Sequence, residues 1–143
     1  MSQSVQYTLS EGSFTLPGAV QDQSITVLPL EGLRATLVVT RDWQVTADRL
    51  DNFLQQQLQK VKRDMKKFSA LSPEESMLGN LPAQQVAMRF ENQGVLVEQK
   101  LLVAWCKDHL LAITFSTAGQ FNEQQRLAWQ SIRQTFTPAV AEA

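Results

Sequence analysis

Apolar residues recur along this chain with two different periods. Phe14-Thr15-Leu16 and Ile25-Thr26-Val27-Leu28 alternate or cluster apolar side chains over short stretches bounded by Gly12, Pro17-Gly18 and Pro29, the punctuation of strands and turns. The β-branched run Ala35 to Thr40 predicts a third, central strand. From Thr46, a good N-cap residue, to Phe68 there is no Gly or Pro, and Leu50, Phe53, Leu54, Leu58, Val61, Met65 and Phe68 return at helical intervals. At about 100° per residue these side chains fall within an arc of about 140°, the core-facing stripe of a long helix, and Gln57 falls inside it.

A loop around Leu71 to Ser76 and a turn at Gly79-Asn80-Leu81-Pro82 precede three further β segments, Gln84 to Glu91, Val95 to Cys106 and His109 to Thr117. Asn92-Gln93-Gly94 and Lys107-Asp108 are the natural turns between them, so an antiparallel meander is expected. Asn122 with Gln125 three residues on resembles a capping box, and Trp129, Ile132 and Phe136 mark the buried face of a second helix that Pro138 ends. Ala139 to Ala143 reads as a frayed tail. Strands, long helix, strands, helix is not the alternation that builds a parallel sheet; it predicts an α+β fold, a mainly antiparallel sheet packed with one long and one shorter helix. At 143 residues and 43% hydrophobic content the chain fits one domain, residues 1–143.

Charge narrows the function classes. Thirteen basic against fourteen acidic side chains give a formal charge of -1, without the basic field that nucleic acid or an anionic membrane selects. The first residues, Met1 to Tyr7, lack a basic stretch followed by a continuous apolar one, and runs such as Leu101 to Cys106 are far below the roughly 20 residues of a membrane span, so a cytosolic location is expected without membrane insertion. Cys106 is the one cysteine, which agrees with a reducing compartment.

Catalytic chemistry finds little to rest on. Cys106 and His109, the one histidine, flank a tight turn, where they would project from a sheet edge and not into a cleft. One Cys and one His cannot complete a zinc site, and no glycine-rich phosphate loop is present, so no metal or cofactor is expected. Glu74-Glu75 and the pair Asp48 and Asp51 read as solvated carboxylates. Lys60, Lys62, Arg63, Lys66 and Lys67 read as a solvated face at the favourable end of the helix dipole, and no aromatic residue interleaves with them as single-stranded nucleic acid would require.

Gln57 is the exception on the long helix. Its amide must find a partner once water is removed, so it either bonds internally or lines a groove. With Val61 and Met65 it forms an i, i+4, i+8 row, a mixed surface on which Met suits variable apolar partners.

Leu9-Ser-Glu-Gly-Ser-Phe-Thr-Leu-Pro17, followed by Gln21-Asp-Gln-Ser-Ile-Thr-Val-Leu28, resembles the N-terminal signature of the DcrB-like family and, within it, the Eag chaperones of bacterial type VI secretion. The resemblance continues through Arg41, Phe53-Leu-Gln-Gln-Gln-Leu58 and Glu98-Gln99, and so covers nearly the whole chain; Val20 stands where the family often has Trp. It implies a Mog1/PsbP-like sandwich. It also implies a homodimeric cytoplasmic chaperone that shields the N-terminal transmembrane helices of a secreted effector, often Rhs-type, and helps load it onto the VgrG spike. The family's client groove maps onto Ile25 and Val27 on an early strand, Gln57, Val61 and Met65 on the long helix, and Gln99 on the sheet. A DcrB- or PsbP-like assembly module without a membrane-helix client is a second reading, and an enzyme using Cys106 or His109 a third.

Overall fold

The computed structural model describes residues 4–139. Of the expected tail, Ala139 is irregular and residues 140–143 lie outside the described part. A seven-stranded antiparallel sheet runs in the order β3 (Thr26–Leu30), β4 (Ala35–Asp42), β9 (His109–Ala118), β8 (Val95–Cys106), β7 (Leu81–Asn92), β5 (Lys66–Ala70), and β6 (Glu74–Leu78) pairs with the other end of β7. A separate hairpin, β1 (Val5–Leu9) and β2 (Gly12–Leu16), precedes it. Two helices, α1 (Leu50–Asp64) and α2 (Glu123–Thr135), cover opposite faces.

Side-chain alternation divides the core into two layers. On one face Leu37, Leu102, Ala104, Ile113 and Phe115 pack with Trp129 of α2; on the other Val86, Met88, Leu101, Val103 and Leu110 pack with Leu54 of α1. Both meander turns form where expected, with Gln93, Gly94 and Lys107 at the positive φ that tight hairpins demand. The capping box of α2 is complete: Gln125 N–H donates to Asn122 Oδ1 at 2.7 Å, and Asn122 N–H donates to Gln125 Oε1 at 2.9 Å.

Two expectations fail around the long helix. It is regular only from Leu50 to Asp64, after a 3-10 turn at Ala47–Arg49, and Thr46 turns its hydroxyl to Asp48 instead of capping a backbone N–H. At the other end Met65 is extended, and Lys66, Lys67 and Phe68 belong to β5. The cause is the unpaired outer side of β7: pairing Lys66 with Glu91 and Ser69 with Arg89 satisfies that backbone, while Phe68 still reaches the α1-side core, as a helical Phe68 would. The same free side recruits Glu74 to Leu78 as β6, where a loop was expected.

Candidate functional site

Register places residues across the sheet in rows. Leu101 pairs with Thr114, Thr114 with Val38 and Val38 with Val27; one step along, Gln99 pairs with Ser116, Ser116 with Thr36 and Thr36 with Pro29. Directly paired residues share a face, and Leu101 assigns these rows to the α1 side. The core beneath α1 is drawn from β7, β8 and the start of β9, whereas Thr36, Val38 and Val27 are outside it. The β3–β4 end of that face is therefore an open shelf, rimmed by Val27, 55% exposed, and by Ile25, 65% exposed, just before β3.

The helix presents a definite flank to this shelf. Asp51 accepts a bond from Gln84 Nε2 at 2.7 Å, fixing one side of α1 over β7, while Phe53 and Gln56 line a hollow with Gln44 and Val45, which follow β4. Gln57 is about 40° around the helix from Phe53, still on the shelf side, and is half-buried. Gln99, on the shelf floor, donates from Nε2 to Met88 Sδ at 3.5 Å, a long bond to a weak acceptor.

Of the six residues predicted for the groove, Val27 and Gln99 are on strands and Gln57 and Val61 on α1, as expected, whereas Ile25 precedes β3 and so does not share a strand with Val27. Ile25 and Val27 form its rim, Gln57 its helical flank and Gln99 its floor, while Val61 packs partly against the core below. Met65 departs from the predicted helical row: it has left the helix, with φ -114° and ψ 156°, although its N–H still donates to Val61 O at 2.9 Å. It packs on the same core cluster at the far end of α1. Val38, Thr114 and Ser116 also form the floor; they were not predicted because strand alternation gives a residue's face only once its pairing is known.

A chain of side-chain contacts anchors the segment leading to Ile25. Trp43 Nε1 donates to the Asp22 carbonyl at 2.8 Å, and the Asp22 carboxylate accepts from Ser24 N–H at 2.8 Å and from the Tyr7 hydroxyl. These bonds, Ser24's foremost, lower the Asp22 pKa to about 2, and the same carboxylate raises that of Tyr7. The His109 ring stacks on Trp43 with centroids 4.0 Å apart, and its Nδ1 lies 3.1 Å from Asp108. His109 is thus part of an aromatic stack, with Cys106 opposite it across the hairpin. Of the basic cluster, Lys60, Lys62 and Arg63 are on α1, whereas Lys66 and Lys67 are on β5, where Lys67 pairs with Glu91 at 3.1 Å. Among the described residues no group of three His, Cys, Asp or Glu could hold a metal ion, and no helix is long and apolar enough to cross a membrane.

Comparison with known proteins places the fold. PA94 of Pseudomonas aeruginosa, a protein of unknown function, is similar at a TM-score of 0.75 with 21% identity, over 98% of this chain and 100% of that one. LpqN of Mycobacterium tuberculosis, involved in cell envelope biogenesis, is similar at a TM-score of 0.53 with 15% identity, over 93% and 88% of the two chains. At these identities the likeness is one of fold. No curated protein matches the sequence significantly. The DcrB family model matches residues 11–135, which include both helices, the whole sheet and every shelf residue described above, and the chain belongs to the DcrB family.

Proposed function

We propose that the shelf beside α1 holds apolar helices of another protein, namely the N-terminal transmembrane segments of a type VI secretion effector, Rhs-type on the sequence resemblance. The chaperone keeps them from water in the cytoplasm until the effector is loaded on the VgrG spike. The observation that carries this reading is the exposure of Val27 on the sheet face that α1 leaves uncovered, with Ile25 exposed just before it. Exposed side chains of this kind, continuous with a floor of Val38, Thr114 and Ser116, suit a partner that is apolar with small polar groups, as membrane helices are at their packing faces.

Size supports a dimer. A membrane-spanning helix of about 20 residues is about 30 Å long, whereas the fifteen residues of α1 extend about 22 Å, so two copies of the shelf cover what one leaves bare. Burial of a few hundred Å² at roughly 25 cal/mol per Å² contributes several kcal/mol, enough for reversible holding without ATP.

Co-expression with the N-terminal region of an effector encoded beside this protein tests the reading. Ile25→Asp and Val61→Asp should each leave the effector insoluble. Unchanged solubility with both variants would overturn it and leave an assembly role without a membrane-helix client.

A further inference from the structure

Among the described residues the sheet has three unpaired edges, and two of them are blunted. In β3 the pairing Leu30–Ala35 makes Pro29 face Thr36 at a non-hydrogen-bonded position, so the missing N–H of the proline is on the outer side. In β5 the register shifts between Lys66 and Ser69, and Lys67 has φ +53°, a lysine-bearing bulge of the kind that deters pairing.

The third edge, β6, carries neither device. Its two-residue turn closes Leu78 on Leu81, and Met77 faces Pro82, which has no N–H to give. Both facts make Met77 and Glu75 the non-hydrogen-bonded positions, whose N–H and C=O groups point away from β7. Among the described residues no strand pairs with that side. Met77 is 47% exposed.

Each face of this edge has a cavity of about 450 Å³. On the α1 side it is lined by Leu50, Glu75, Met77 and Pro82, and on the α2 side by Ser76, Gln85 and Arg133 with Glu74 and Glu75. Arg133 Nη1 donates to Ser76 Oγ at 3.0 Å and reaches Met77 O at 3.5 Å, but its buried Nε–H has no acceptor. The Glu74 carboxylate is turned to Gln85 Nε2 at 3.3 Å.

We propose that β6 accepts an extended segment of another polypeptide as an added strand, at a surface separate from the α1 shelf. Backbone bonds to Glu75 and Met77 hold the segment, and its side chains enter the two cavities alternately. Those facing Leu50 and Pro82 are apolar, and the one facing Ser76 is acidic, because the Arg133 guanidinium, which bonds Ser76 Oγ through Nη1, has no carboxylate partner among the described residues.

The test titrates the full chain with the labelled pentapeptide acetyl-Thr-Val-Glu-Val-Thr-amide and follows fluorescence anisotropy and backbone amide shifts. Binding should shift the amides of Glu75 and Met77, and replacing the central Glu by Lys should weaken it about tenfold or more. Met77→Pro removes one outward N–H without touching the ladder to β7; with an unchanged far-UV spectrum it should abolish binding. Arg133→Met should remove the preference for Glu over Lys. The proposal is overturned by equal binding to Met77→Pro, by shifts confined to other strands, or by a wild-type dimer that Met77→Pro dissociates in the absence of peptide, which would make a second copy the occupant.

Discussion

Gln125 shows how much a single side chain can hold in this molecule. It is 3% exposed, completes the cap of α2, and donates from Nε2 to Leu33 O at 2.7 Å and to Thr117 Oγ1 at 3.0 Å, tying the helix start to β9 and to the β3–β4 connection. Gln125→Leu should destabilise the fold by about 2–4 kcal/mol, because the cap weakens and buried acceptors lose their donor; urea denaturation measures it, and a loss of under about 0.5 kcal/mol would contradict that role. The Asp22 carboxylate gives a pH-dependent counterpart. Its folded pKa, about 2, is below the usual 3.8, so its contribution is complete above about pH 4 and disappears as pH falls from there toward 2. Amide exchange in the Val5–Leu16 hairpin should accelerate across that window, and Asp22→Asn should remove the transition. At this scale the sequence revealed the Asn122–Gln125 box, whose partners are three residues apart, but not the bond from Trp129 Nε1 to Gln85 Oε1, whose partners come together only through the fold.

The elements divide in the same way. Each meander strand, both of its turns and α2 are defined by neighbours along the chain, and the sequence locates them to within a few residues. The end of α1 is decided elsewhere. Helical spacing through Phe68 is genuine, yet β7 offers unpaired backbone that a longer helix would leave to water. Gly79 marks another long-range constraint: with φ +59° it forms the β6–β7 turn, and an added Cβ would lie 2.1 Å from the Phe136 carbonyl oxygen beyond α2. Gly79→Ala should therefore cost about 3 kcal/mol or more, read as a lowered melting temperature. A neutral outcome would mean that the end of α2 can move away from the turn. The shelf was legible only in part for the same reason: Gln57 stands out in the helical stripe and Ile25 and Val27 follow from the family resemblance, while Val38, Thr114 and Ser116 join them through cross-strand pairing.

In the whole molecule, the two helices do not cover equal parts of the sheet. α2 lies over a core that reaches from Leu37 on β4 to Ala83 on β7, whereas the α1 core stops short of β3 and β4. Ile25 and Val27 remain exposed beside the uncovered part, and the family relationship extends over it. The proposed function requires this shelf to receive an apolar helix. The most direct measurement is photocrosslinking with benzoylphenylalanine at Val27, and in parallel at Leu127, which is 59% exposed on α2. A client containing one transmembrane segment is co-expressed with each variant. Crosslinking to that segment from position 27 and not from position 127 is the predicted result; equal crosslinking from both, or crosslinking from 127 alone, would contradict it.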